Sequence, residues 1–388
     1  MRSDTLIALA ILALTATPAT SCAGYAYDSA DMRYELIDLG LNKWAHSVND
    51  NGQIVGIHYG SGPVALLFDT TGQGNHVELG SKPVWGGPAY YLSWPNAINN
   101  EGQIVGWERP QGQNQFATLF DASGGGANIY LNTSDYGSDA YCINNAGQIV
   151  GSRRFGTGLG SAAVFDPTGN GADVDLGRLG DSGFPSRAMC INDNGAVVGT
   201  SSLGMQASRA TLFDATGEGE NIDLGTLGGQ NSHATCINNL GQIVGQASNA
   251  SNRSHAALFD PSGAGDNTDL GSLGNQWSSS IAMAINDHSQ IVGWSVVRER
   301  KEYVATLFTP DGPVDLNTLV DEPSSLTLAQ AYDINNNGWI VGMAMDRRGT
   351  EHAFLLKPIP EPATVLLLGL GAAYLRRRSR PRHYSVGS

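Results

Sequence analysis

The sequence predicts an all-β fold, a seven-bladed β-propeller closed by an N-terminal strand, and three observations predict it. First, a ten-residue stretch typified by Ala97-Ile98-Asn99-Asn100-Glu101-Gly102-Gln103-Ile104-Val105-Gly106 recurs with its Asn at positions 49, 99, 144, 192, 238, 286 and 335. The spacings of 50, 45, 48, 46, 48 and 49 residues are those of a repeat architecture. Second, each period holds four short strand-like runs, the content of one propeller blade. Third, the last period lacks its fourth run, and a spare copy, Ile37-Asp38-Leu39-Gly40, stands ahead of the first Asn. That copy can complete the last blade and remove the exposed sheet edges.

Within a unit, strand a ends at the repeat Asn and strand b carries Gln-Ile-Val-Gly. Between them lie turns such as Asn49-Asp50-Asn51-Gly52, whose Asn and Gly tolerate positive φ and whose Asn side chain can bond its own backbone. One copy departs from the pattern, with Ser289 in the glycine slot. Strand c is apolar and ends at Phe, as in Thr211-Leu212-Phe213-Asp214. A Gly-rich turn leads to strand d, which carries Asp-Leu-Gly at 175–177, 223–225 and 269–271.

Composition agrees. Charged residues are 15% of the chain, glycine contributes 50 of 388 residues, and helical periodicity is confined to the two ends. The net charge of −14 argues against a nucleic-acid partner, which needs a basic face.

Cys142, Cys190 and Cys236 each stand two residues before a repeat Asn, where other units place Ser47, Ala97, Ala284 and Asp333. A small buried side chain is the expected role; a disulfide or metal role finds no CxxC or Cys/His pairing in support. No metal or other cofactor is expected.

The two ends read as addresses. Arg2, the apolar run Leu6 to Ala16, and Ser21 and Ala23 at the −3 and −1 places form a secretory signal peptide over 1–23. A lipoprotein-like box around Cys22 is the lesser reading. The repeats fill 34–356. Over 358–382, Pro360-Glu361-Pro362 precedes an apolar run from Ala363 to Leu375 and then Arg376, Arg377, Arg378, Arg380 and Arg382. This order resembles the PEP-CTERM sorting signal. The resemblance implies an exosortase-type processing protease acting near Pro360, Glu361 and Pro362, and a Gram-negative cell that makes exopolysaccharide. Thirteen apolar residues are short of the ~20 of a full membrane span, but flanking residues can extend the helix. Basic residues beyond it stay cytoplasmic. The chain is therefore expected to be exported, held at the inner membrane as a precursor, and then placed at the cell surface or in the extracellular matrix.

The units resemble the HAF repeat, an extracytoplasmic family named for His-Ala-Phe. The matching residues are His352-Ala353-Phe354, the weaker His255-Ala256-Ala257, and Asp223-Leu224-Gly225-Thr226-Leu227-Gly228-Gly229 followed by Ile237-Asn238-Asn239. The resemblance implies export and tandem repetition but carries no activity.

Strand order puts the a–b and c–d turns on one face and the variable b–c and d–a loops on the other, where a ligand is expected. Aromatic residues are assigned to the d–a loops of that face: Trp44, Trp85, Tyr90, Tyr91, Trp94, Tyr136, Phe184 and Trp277, with Trp107 and Trp294 directly after a Val-Gly. Such rings can stack on sugars or fill protein hot spots, or simply pack the loops together. The b–c loops are assigned ten cations, Arg109, Arg153, Arg154, Arg209, Arg253, Arg298, Arg300, Lys301, Arg347 and Arg348, a ring that an acidic polysaccharide or another surface protein would fit. Ordinary solvated charge is the plainer account. The Asp residues that close strand c (Asp69, Asp121, Asp166, Asp214, Asp260) are expected to form Asx turns, with calcium the alternative. No linear catalytic motif occurs.

The expectation is a non-enzymatic binding or scaffold module linked to the exopolysaccharide matrix. The alternatives are a glycan hydrolase or lyase with a central-channel site, which two carboxylates or a His–carboxylate pair at the channel mouth would favour, and a purely structural surface protein.

Overall fold

A computed structural model describes residues 32–360, apart from 61, 71–73, 81–91, 133–136, 155–158, 181–182, 206, 300 and 322–323. The chain opens with β1 (Tyr34–Leu41). Blade 1 is β2 (Lys43–Val48), β3 (Ile54–Tyr59), β4 (Pro63–Leu67) and β5 (Val77–Glu78). Blade 2 is β6 (Leu92–Ile98), β7 (Ile104–Arg109), β8 (Phe116–Phe120) and β9 (Ile129–Tyr130). Blade 3 is β10 (Ser138–Ile143), β11 (Ile149–Arg154), β12 (Gly160–Phe165) and β13 (Val174–Gly177). Blade 4 is β14 (Ser186–Ile191), β15 (Val197–Ser202), β16 (Ser208–Phe213) and β17 (Ile222–Asp223). Blade 5 is β18 (Gly228–Ile237), β19 (Ile243–Asn249), β20 (Ser254–Phe259) and β21 (Thr268–Gly271). Blade 6 is β22 (Ser279–Ile285), β23 (Ile291–Val297), β24 (Glu302–Thr309) and β25 (Gly312–Asp315), followed by one 3-10 turn. Blade 7 is β26 (Thr327–Ile334), β27 (Ile340–Met345) and β28 (Glu351–Pro358).

Seven four-stranded antiparallel sheets result, and the seventh has the order β1-β28-β27-β26. The first strand therefore supplies strand d of the last blade. Ile37 faces Leu355 and Asp38 faces Phe354 in that pairing, with Tyr34 opposite Pro358. The expected ring closure is the observed one, and the sheet runs to Pro358, two residues past the anticipated end of the repeats. The signal peptide, the apolar tail, Glu361 and Pro362 lie outside the described residues. Among the described residues, no helix is long and apolar enough to cross a membrane.

The core is a set of wedges between neighbouring blades. In most units the Ile-Val of strand b, the Phe of strand c and the Leu of strand d are its recurring members, and in the wedge between blades 4 and 5 Ile243, Phe259 and Leu224 are at most 3% exposed. The Val-Gly motif has a specific cause. Every strand a, innermost around the axis, carries a β-bulge three residues before its Asn, for instance between Ala45 and Ser47 and between Ala234 and Cys236. A Cβ on the glycine opposite would sit 1.9–2.0 Å from the carbonyl oxygen of the bulged strand, Trp44 O for Gly56 and His233 O for Gly245. No other residue fits there.

The repeat Asn side chains close a ring around the axis. Each Nδ2 donates to the next blade's Asn carbonyl, from Asn49 to Asn99 (2.8 Å), through Asn144, Asn192, Asn238 and Asn286, to Asn335, which donates to Asn49 (2.8 Å). The next residue forms a second ring, in which each backbone amide donates to the following Asx side chain, from Asp50 N on Asn100 round to Asn336 N on Asp50. This Asx belt marks the face of the a–b turns.

The c–d turns behave as Asx turns. Asp214 Oδ2 accepts from Thr216 Oγ1, Glu218 N and Gly219 N, and the Thr216 bond, set against slight burial, leads in holding its carboxyl below the usual range. Among the described residues, no group of three or more His, Cys, Asp or Glu is placed to hold a metal ion.

Candidate functional site: the channel mouth opposite the Asx belt

Because strand a lines the axis, residues expected on loops instead stand on channel walls. Trp44 lies in β2 and Trp94 in β6, both strand a rather than the d–a loop, because the bulge lengthens strand a toward the mouth. Trp107 and Trp294 follow the Val-Gly in β7 and β23 and face the same side as their strand-a partners, Trp94 and Ile281. The rings form a continuous arc across blades 6, 7, 1 and 2. Trp294 meets Tyr332 at 5.8 Å between centroids, Tyr332 meets Trp44 at 6.2 Å, Trp44 meets Trp94 at 6.0 Å, and Trp94 stacks on Trp107 at 6.2 Å. His46 stacks on Trp94 at 4.7 Å, and Tyr59 packs on Trp44. Trp44 Nε1 donates to Glu351 Oε2 at 2.8 Å, which fixes the arc to the outer strands. Burial pushes the His46 imidazole down to about 4, against a smaller opposite pull from the Pro95 carbonyl.

The remaining arc, in blades 3 to 5, is polar. At the positions equivalent to Trp44 and Trp94 stand Asp139, Arg187 and His233. A cavity of about 460 Å³ opens there, lined by Arg109, Arg153, Arg154 and Arg187 together with Asp139, Tyr141, Gln115 and Ser152. Arg109, Arg154 and Arg187 are exposed. Burial raises the Asp139 carboxyl despite the Gln115 amide at 2.6 Å and the nearby Arg187 charge. A smaller cavity of about 200 Å³ continues past Arg187 to His233, whose ring lies between Thr200 Oγ1 (3.3 Å) and Ser208 Oγ (3.1 Å).

The sequence-assigned cation ring is thus only partly realised. Arg109, Arg153 and Arg154 converge. Arg153, however, turns inward to bond Asp173, so it braces the blade. Arg209 lies within strand c rather than a loop; it pairs with Asp223 at 3.5 Å and bonds the Gln230 carbonyl, a cross-strand role. Arg253 covers the exposed ring of Trp277 at 4.8 Å, and this pair is separate from the aromatic arc. Arg298 and Arg347 are exposed on blades 6 and 7 and do not line the cavity. Arg300, Trp85, Tyr90, Tyr91 and Tyr136 lie outside the described residues. Arg187, Asp139, Tyr141, His46, Tyr59 and Tyr332 were missed. Aligning the units on their Asn and reading the columns three and five residues earlier would have found all but Tyr59.

The three cysteines stand free, side by side, in three neighbouring strands a. Cys142 Sγ is 3.7 Å from Cys190 Sγ, which is 3.7 Å from Cys236 Sγ. The flanking thiols and then burial push the Cys190 thiol well above its usual range. On the far side of the channel the same slot holds Ser47, whose Oγ donates to Asp333 Oδ2 at 2.9 Å.

Two His–carboxylate pairs do form, but on the outer strands c and d. His255 meets Asp269 at 2.9 Å and His352 meets Asp38 at 3.0 Å. Each Asp also accepts its own Asp-Leu-Gly glycine amide, Gly271 N or Gly40 N. The His of His-Ala-Phe and the Asp of Asp-Leu-Gly are therefore one cross-strand pair, replaced by Arg209 with Asp223 and by Ser161 with Asp175 in other blades.

Comparison with known proteins adds two matches to family models. A family described as a protein of unknown function, DUF3466, matches residues 264–355, in blades 5 to 7. The PEP-CTERM protein-sorting motif matches residues 358–380. That motif marks an exported protein handled by a membrane exosortase. None of the curated proteins matches this chain. Among solved structures, a chain titled "YCF48 bound to D1 peptide" is similar over 85% of this chain and 97% of its own, at 10% identity and a TM-score of 0.45.

Proposed function

We propose that this exported propeller is a non-enzymatic binding module whose ligand is an acidic glycan of the extracellular matrix, taken at the channel mouth. One observation carries the reading. Three exposed guanidinium groups, Arg109, Arg154 and Arg187, surround a 460 Å³ cavity beside a wall of partly exposed tryptophan and tyrosine rings. Guanidinium groups pair with carboxylates or sulfates in bidentate fashion, and flat rings accept the apolar faces of pyranoses. The cavity's described lining offers a single carboxylate, Asp139. A glycosidase of the common kind needs two, about 5 to 10 Å apart, so this lining supports binding over hydrolysis.

The leader over 1–23, an apolar tail that anchors the precursor, and kinship of the units with HAF repeats belong to the same reading. The outer His255–Asp269 and His352–Asp38 pairs support the kinship.

The test is retention of the full chain on immobilised polyuronate against neutral dextran, with a salt gradient. Wild type should bind the polyuronate and elute earlier as salt rises. The triple variant Arg109→Gln/Arg154→Gln/Arg187→Gln should bind measurably more weakly, by up to about a hundredfold, since each exposed charge contributes at most ~1 kcal/mol. Equal retention of variant and wild type would remove the ligand claim.

A further inference from the structure

Both ends of the propeller leave from one face. Strand β28 runs from the channel mouth, where Glu351 bonds Trp44, to the Asx belt, where Pro358 lies 3.6 Å from the position a Gly338 Cβ would take. Tyr34, at the start of β1, faces Pro358, and Ile359 N donates to Arg33 O at 2.8 Å. Lys357 sits 4.2 Å over the ring of Trp339, in the a–b turn of the same blade. The chain is therefore pinned to the belt face through Ile359.

The sorting motif begins where this pinning ends. Its match starts at residue 358, and the apolar run starts at Ala363. Four residues beyond Ile359 reach at most about 14 Å when fully extended. A folded propeller on so short a tether cannot turn over.

We propose that the unprocessed precursor stands on its membrane belt face down, with Arg109, Arg154 and Arg187 aimed away from the bilayer. The proposal rests on the anchoring reading above and adds a direction to it. Its consequence is that the binding mouth is open to matrix polymers before the sorting motif is processed, while a protease that reads Pro360-Glu361-Pro362 approaches from the Asx-belt side.

The experiment uses the full chain in phosphatidylcholine vesicles carrying a short-range headgroup quencher. Its four cysteines are replaced by alanine, the residue that already occupies the slot of Cys142, Cys190 and Cys236 in blades 2 and 6. A fluorophore is placed on Leu240→Cys, exposed in the blade 5 a–b turn, or on Arg347→Cys, exposed at the mouth. The Leu240 label should be quenched several-fold more than the Arg347 label. A forty-residue Gly/Ser spacer between Ile359 and Pro360, with a mean span of ~35 Å, should bring the two signals together. Equal or reversed quenching without the spacer overturns the orientation, and so does a difference that the spacer leaves intact. Failure of the chain to float with vesicles sinks the anchor, and the orientation with it.

Discussion

Asn335 Nδ2 donates to the carbonyl of Asn49 at 2.8 Å, across 286 positions of sequence. This contact is the last link of a seven-membered hydrogen-bonded ring, and it forms only when blade 7 meets blade 1. Asn335 Oδ1 meanwhile accepts from Asn337 N and Trp339 N in its own turn. The residue is 4% exposed, so truncation strands buried partners on both sides. Asn335→Ala should cost about 2–4 kcal/mol and lower the thermal midpoint by several degrees. Asn337→Ala, at an exposed donor on Asp50 O, should cost less than about 1 kcal/mol. Chemical denaturation of the two variants side by side checks the ranking.

The two glycines of the motif do different work, and a matched pair of alanine variants separates them. Gly241 has φ +79° with nothing within 4 Å of where a Cβ would stand, so Gly241→Ala meets conformational strain alone, about 1 kcal/mol. Gly245 faces the bulge, and its Cβ would lie 2.0 Å from His233 O, so Gly245→Ala must open the bulge and should cost more than about 3 kcal/mol. The natural exception fits: Ser289 holds φ +62° in the first slot and recovers part of the strain through a 2.7 Å bond from its Oγ to Gln242.

Sequence patterning carried the architecture because period, strand count and the displaced Asp-Leu-Gly copy are all local features of the chain. It carried half of the Asn motif. The bond from Gln53 N to Asn49 Oδ1 is a within-turn contact that Asx chemistry foretells, whereas the Nδ2 bond to Asn99 O joins two blades and has no local signature. The site was less legible for the same reason. Trp44 and Trp94 looked like loop residues because a bulge breaks the alternation that marks strands. Arg187 and Asp139 were hidden in a column that holds tryptophan in blades 1 and 2 and a chemically different residue in each of the other five. Exposure separated Arg154 from Arg153, and only the fold shows that Asp173 holds the latter.

The closing strand should be worth a large share of the stability. Tyr34 is fully buried against Leu316, Leu319 and Phe354, and its carbonyl accepts from Asp321 N. Tyr34→Ala removes a buried ring from a packed wedge and should cost about 3–5 kcal/mol. Starting the chain at Lys43 removes β1 entirely and exposes β28 as a free edge, so the protein should form concentration-dependent oligomers. Sedimentation velocity at two concentrations, compared with the intact chain, distinguishes this from a simple loss of stability.

Acid should loosen the aromatic arc before it touches the Asx turns. The His46 imidazole has a folded value near 4 against about 6.5 in an unfolded chain, because burial among Trp44, Trp94 and Tyr332 disfavours its charged form. Between these values the unfolded state binds the extra proton, so the contribution of neutral His46 is complete above pH 6.5 and is lost as pH falls toward 4. Asp121, Asp166, Asp214 and Asp260 lie below the usual carboxylate range, held there by bonds from their own turns, so their contributions persist to below about pH 4. The His46 contribution should therefore lower the thermal midpoint of the wild type between pH 6.5 and 4, against the opposite pull of Asp139 and Asp333, whose carboxyls burial raises, and His46→Gln, which has no proton to take up, should lose that part of the fall. His76 and His233 are lowered in the same direction, so the variant keeps part of the slope. An unchanged slope in His46→Gln would place the acid sensitivity elsewhere in the molecule.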